Sequence, residues 1–177
     1  MTDKLPQLPR PPDPRARLRG LRSRALGKAF EDRLDRSFDY YNETGFAQID
    51  KTPEPFKVIK RLEHTRFIGC FLKKAQPDYK GTVKGGRSVI FEAKYTDSGR
   101  MEQSRVTEEQ EKYMDKAAAL GARCFVLAGF SGGTVYKIPW DVWRDMKRLF
   151  GHKYVTEEQI TKYRVRVSWN DVLLILE

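Results

Sequence analysis

The stretch SVIFEAK, residues 88–94, decides how the chain is read. Its residues run like a buried β-strand until a glutamate and a lysine interrupt them. Strand side chains alternate between faces. Val89, Phe91 and Ala93 therefore share one face, and Ile90, Glu92 and Lys94 share the other. The first set can enter a core. The second ends in an acid and a base, and charges at the end of an apolar strand need a partner or a cation.

Working upstream, DYKGTV (78–83) and KGGR (84–87) read as the first arm and bend of a hairpin, with Gly85-Gly86 at the turn. Folding back there brings Asp78, which follows Pro77, to the same sheet edge as Glu92. Two carboxylates at short range repel, and one stays protonated unless a cation is present. A hard divalent ion such as Mg²⁺ or Mn²⁺ suits oxygen donors of this kind, with the backbone carbonyl of Ala93 as a further ligand. Lys94 would then orient a water or stabilise a phosphorane-like transition state. An ordinary cross-strand Asp/Glu–Lys salt bridge accounts for the same residues equally well. The acid-x-lysine pattern also recurs at 78–80 and 145–147, so the apolar strand context is what sets Glu92-Ala93-Lys94 apart.

The rest of the chain suggests an α/β fold with a mixed sheet. Residues 1–22 carry Pro6, Pro9, Pro11, Pro12 and Pro14 among several arginines and read as a flexible basic arm. Residues 23–177 are expected to form one domain. A helix is predicted from Ser23 to Asn42, with Leu26, Phe30, Leu34 and Phe38 as its apolar stripe. FAQID (46–50) reads as a strand. Within 51–77, FKVIK (56–60) and RFIGCFLKK (67–74) suit a protruding two-stranded arm. TEEQ at 107–110 is a capping box that opens a helix closed by Gly121. RCFVLAGF (123–130) and TVYKI (134–138) are predicted strands around the turn SGG. Pro139 begins a helix bearing Trp140 and Trp143. A second TEEQ (156–159) predicts a short final helix, and VLLIL (172–176) an edge strand or packing tail.

Composition narrows the chemistry. The 177 residues carry a net charge of +10, a surplus that points to a polyanion, most often nucleic acid. No apolar run approaches the roughly 20 residues of a membrane span, and no secretory signal is evident. A cytoplasmic protein without membrane association is expected, with Cys70 and Cys124 as buried free thiols. His64 and His152 lack the neighbours a zinc site needs. Phosphate-loop and dinucleotide-binding glycine motifs are absent, and GFSGG (129–133) reads as a hairpin turn.

With those stretches in place, Pro77-Asp78 followed by Glu92-Ala93-Lys94 resembles the PD-(D/E)xK nuclease signature. More specifically, the chain resembles the RecU family of Holliday-junction resolvases. GKAFED (27–32), KTPEP (51–55), PDYKG (77–81), VIFEAK (89–94), EEQEKYM (108–114) and CFVLAGF (124–130) occur in the family's order, from about Gly27 to Trp143. The resemblance implies a restriction-endonuclease-like core of mixed sheet flanked by helices, with residues 51–77 as a stalk that enters the junction centre. It implies Asp78 and Glu92 as metal ligands, Lys94 as the catalytic lysine and Glu31 as an acid reaching the site from the first helix. An exposed helix charge explains Glu31 as well. Gln110 falls where the superfamily often has a glutamine, although the capping box also accounts for it. Lys80 departs from the family, whose members usually have Asn there.

The implied activity is Mg²⁺-dependent, structure-selective DNA cleavage that resolves four-way junctions in recombination and repair, with Mn²⁺ able to substitute. The implied assembly is a homodimer on branched DNA, open to contact with other recombination proteins. Arg22, Arg24, Lys28, Lys51, Arg61, Arg66, Lys73, Lys74, Lys80 and Lys84 are expected to meet phosphates. Two rivals remain: a nuclease of this fold acting on linear or flapped duplex, and a non-catalytic factor that binds branched DNA.

Overall fold

The computed structural model describes residues 13–53, 55–63, 65–72 and 76–177. Its centre is a five-stranded sheet in the order β1-β4-β5-β7-β8, built from Ala47–Lys51, Tyr79–Val83, Arg87–Thr96, Arg123–Phe130 and Val135–Pro139. β5 and β7 run parallel and the other neighbours antiparallel, so the sheet is mixed. The parallel pair needs a crossover, which helix α2 (Glu108–Ala119) provides.

Both faces of this sheet are covered. On one, Val89 and Phe91 of β5 are fully buried beneath helix α1 (Pro14–Glu43), whose Phe30, Leu34 and Phe38 pack against them. The rings of Tyr79, Phe91 and Phe125 stack across three strands, with centroids 5.1 and 4.7 Å apart. The expected core face of SVIFEAK is therefore the observed one. Its other face is also covered. Ile90 packs against a second cluster that joins Val126 of β7 to Met114 of α2, Trp143 of helix α3 (Trp140–Arg144) and Met146 of helix α4 (Met146–Phe150). A strand in parallel pairing is normally buried on both sides, and Glu92 is sealed in by the same packing.

Three expectations change. Helix α1 starts at Pro14, well ahead of Ser23, so residues 14–22 belong to the helix and not to an arm. Proline is compatible with the first helical position, and the Asp13 side chain caps the helix by accepting the Arg15 N–H at 3.0 Å. Residues 1–12 lie outside the described residues. The second TEEQ does not open an α-helix. Its Thr156 is the last residue of strand β9 (Tyr154–Thr156), which pairs with β6 (Arg100–Glu102), and the segment leads into a 3₁₀ turn at Thr161–Tyr163. Half of the cap survives, because the Thr156 N–H donates to Gln159 Oε1 at 3.1 Å. Cys70 is exposed, whereas Cys124 is buried as expected.

Cys70 is exposed because, among the described residues, no second layer covers its strand. Among those residues β2 (Phe56–Arg61) and β3 (Phe67–Phe71) pair only with each other, in a separate antiparallel ribbon. VLLIL is a packing tail: Leu173, Ile175 and Leu176 are buried against α1, where Tyr41 Oη donates to the Leu173 carbonyl at 3.2 Å. Among the described residues, no helix is long and apolar enough to cross a membrane.

Candidate active site

The hairpin register places the two carboxylates. Tyr79 pairs with Phe91, so Asp78, one residue earlier, stands opposite Glu92. The bend comes at Gly85 and Gly86, with φ of +93° and +84°, values that glycine adopts without a Cβ penalty. The Asp78 N–H donates to Glu92 Oε2 at 3.1 Å, and the Ala93 N–H donates to Asp78 Oδ2 at 3.3 Å. Each acid is thus pinned by the other strand's backbone.

Lys94 completes the group. Its ammonium lies 3.5 Å from Asp78 Oδ2 and also contacts Glu92 Oε1. Gln110 adds a donor from α2, with Nε2 2.8 Å from Glu92 Oε1. Glu92 has no exposed surface. Burial above all, followed by hydrogen bonding to Asp78, pushes its carboxyl up to about 7, and Lys94 offsets part of this rise.

These side chains border a cleft of about 430 Å³ between α1, the end of β5 and the start of α2. Asp78, Ala93, Lys94 and Gln110 line it, and so does Glu31 from α1. Glu92 lies under its floor. Glu31 is not held by the other acids: its Oε2 meets Lys51 Nζ at 3.0 Å, and Lys51 also reaches Asp35 Oδ2 at 3.2 Å. The five residues named from sequence therefore converge, with Glu31 at the rim.

The donors are all oxygens, and a buried carboxylate faces a second one across a single ammonium. This donor set fits a hard divalent cation. Among the described residues, no cluster of three or more His, Cys, Asp or Glu side chains is arranged to hold an ion. A pair of carboxylates suits an ion that keeps several waters, as Mg²⁺ does.

The basic residues divide. Arg24 lines the cleft. Arg22, Lys84, Arg61 and Arg66 are exposed, the first on α1, the second at the hairpin bend and the last two at the end of the ribbon. Lys28 is paired with Asp32 at 2.9 Å on the helix surface, and Lys51 with Glu31 and Asp35. Lys80 bonds Gln76 and sits 5.3 Å from the centre of the Tyr113 ring. Lys73 and Lys74 lie outside the described residues.

Sequence reasoning missed Asp35, Tyr79 and Arg105. The buried Tyr79 donates its hydroxyl to Asp35 Oδ1 at 2.7 Å, linking the sheet to the Lys51–Glu31 pair. Asp35 follows Glu31 by one helical turn, a spacing that could have flagged it. Arg105 lines the cleft and donates to the Tyr95 carbonyl at 2.7 Å, and no local pattern announced it.

Residues 25–175 match the family model of RecU, Recombination protein U. The chain belongs to the RecU family. The match runs well past Trp143, where the resemblance seen in the sequence ended, and takes in the C-terminal tail that packs on α1. Among RecU relatives, the Holliday junction resolvase RecU of Streptococcus pneumoniae serotype 19F (strain G54) is 28% identical over 150 residues, covering 80% of this chain and 75% of the relative. The protein of the same name from Streptococcus gordonii (strain Challis) is 30% identical over 111 residues, 59% of this chain and 55% of that one. The solved Holliday junction resolvase Hjc of Archaeoglobus fulgidus aligns with a TM-score of 0.46 at 12% identity, over 74% of this chain and 92% of Hjc.

Proposed function

We propose that this RecU-family protein is a divalent-metal-dependent, structure-selective endonuclease that resolves four-way DNA junctions. The observation that carries this reading is the convergence of Asp78, Glu92 and Lys94 on one cleft in a chain with a net charge of +10. The resolvase names of its relatives give the substrate class.

Asp78 and Glu92 would hold Mg²⁺, or Mn²⁺ in its place, with the Ala93 carbonyl as a candidate third protein ligand and Glu31 close by at the rim. A bound ion would polarise the scissile phosphate and lower the pKa of an attacking water. The protein's own groups do the remainder. Gln110 and the Asp78 N–H orient the Glu92 carboxylate. Lys94, partly shielded from solvent, presents a proton donor and a positive charge to the cleft. Arg24 stands at the entrance for a flanking phosphate, with Arg22, Lys80, Lys84, Arg61 and Arg66 farther out. We read α1 and everything after it as one nuclease domain whose β2–β3 ribbon enters the junction. A homodimer acting in the cytoplasm would place one cleft on each of two symmetry-related strands.

The deciding assay incubates the wild type with labelled four-way junction and linear duplex, with and without Mg²⁺. Paired, Mg²⁺-dependent nicks confined to the junction support the reading. Equal cleavage of linear duplex favours a broader nuclease, and tight junction binding without cleavage a non-catalytic factor. Asp78→Asn and Glu92→Gln should each lower cleavage by about a hundredfold or more while retaining junction binding. Full activity in the double variant would remove the site assignment.

A further inference from the structure

We infer that the groove beside α2 is a second DNA-contact surface, which takes the sugar–phosphate backbone of the duplex arm leaving the cleft. This rests on the nuclease reading above. The groove has a volume of about 490 Å³ and lies between α2 and the β4–β5 bend. Ile90, Tyr113, Ala117 and Leu120 form its walls, and Arg87 and Lys116 stand on its rim. Among the described residues, no carboxylate lines it.

The groove continues the cleft along two elements. Ile90 lies on the β5 face that carries Glu92 and Lys94. At ~3.4 Å per strand residue it is ~7 Å from Glu92. Gln110, Tyr113 and Ala117 form one stripe of α2, and at ~1.5 Å per helical residue Ala117 stands ~10 Å beyond Gln110. These lengths correspond to about two or three base steps of a DNA strand at ~3.4 Å each. Lys80, which pairs with Ile90 in the β4–β5 register, bridges the two regions with its ammonium over the Tyr113 ring.

The chemistry of the groove matches a backbone. Arg87, Lys116 and Lys80 present cations to phosphates, while Tyr113 and Leu120 offer apolar surface to deoxyribose. Leu120 is 89% exposed at the end of α2, a position that supplies nothing to the core. The last carbonyls of α2 accept the N–H groups of Leu120, Gly121 and Ala122, so the helix end turns few free acceptors toward an anion. An acidic, aromatic peptide would meet the same charges. Continuity with a cleft that acts on a polyanion favours the DNA backbone.

The test measures four-way-junction affinity against NaCl concentration in EDTA, for the full chain and the variants Arg87→Ala/Lys116→Ala and Lys162→Ala/Arg164→Ala. The second pair removes the same charge from exposed positions away from the groove. The groove variant should lower the slope of log K against log salt by about two and weaken binding on the order of tenfold at physiological salt. Its thermal midpoint should match the wild type, and the control pair should keep the wild-type slope. An unchanged slope in the groove variant, or an equal fall in the control, overturns the inference. A wild type that binds junctions but never cleaves them would instead defeat the nuclease reading, and the slope comparison would still decide the groove.

Discussion

Nε2 of Gln110 donates to Oε1 of Glu92 at 2.8 Å, while the Oε1 of the same Gln110 accepts the Thr107 N–H at 3.0 Å. One side chain thus closes the capping box of α2 and orients the buried acid of the cleft. The capping box read from the sequence is present, and the same side chain also reaches the cleft. The coupling has a physical use: the helix that fixes the donor cannot shift without disturbing the carboxylate.

That dual role can be separated by substitution. Gln110→Ala removes both bonds and should cost about 1–3 kcal/mol of stability, read as a lower urea midpoint. Gln110→Glu keeps a capping residue but sets a carboxylate against Glu92. Its stability loss should be smaller near pH 5 than near pH 8, and its cleavage should need a higher pH than the wild type.

The metal-free protein should lose stability as pH rises from the ordinary carboxylate range to about 7. Burial holds the Glu92 proton up to about 7 in the folded chain, against the ordinary 4.5 when unfolded. In that window the folded state binds more protons, so raising the pH favours unfolding, and the effect levels off above it. Urea midpoints from pH 4.5 to 8 in EDTA should follow this course. Glu92→Gln should flatten it, and Mg²⁺ should restore stability most at the alkaline end, where the carboxylate is free to bind.

The ribbon of β2 and β3 should contribute to binding without choosing bases. Arg61→Ala and Arg66→Ala at its end should each lower the salt dependence of junction binding by about one unit. Both should weaken binding to junctions of different sequence by the same factor, measured by anisotropy titration. A sequence-dependent loss would mean base contacts instead.

Two glycines should respond in opposite directions to alanine. A Cβ at Gly81 would lie 2.1 Å from the Gln48 carbonyl oxygen across the β1–β4 pairing, and backbone cannot yield as a flexible side chain can. Gly81→Ala should cost roughly 2 kcal/mol or more. Gly20 sits in exposed helix with nothing within 4 Å, so Gly20→Ala should stabilise by about 0.5–1 kcal/mol. Thermal melts of both variants settle the comparison.

Much of this protein was written locally. The alternation in SVIFEAK, the Gly85-Gly86 bend and the first TEEQ cap act over a few residues, and each appears in the fold as read. Pro77-Asp78 and Glu92-Ala93-Lys94 named the acids because a hairpin converts sequence spacing into register. The second TEEQ shows the limit of such signals: the same four letters lead into a 3₁₀ turn, since β9 pairing with β6 claims their first residue, Thr156. The arm expectation failed in the same way over residues 14–22, because Asp13 and Pro14 begin a helix there.

Tertiary structure alone decided how deeply Glu92 is buried, for that depends on α2 covering a face that the strand pattern leaves open. It also tied Lys51 to Glu31 and Asp35, brought Arg105 to the cleft and laid the C-terminal tail on α1. These contacts join residues far apart in the chain, and no local period encodes them. The sequence by itself determined which groups could perform the chemistry, because residue types and short-range register set that. The packing of α1 and α2 on the two sheet faces decided which groups share a desolvated site, because burial belongs to the assembled layers.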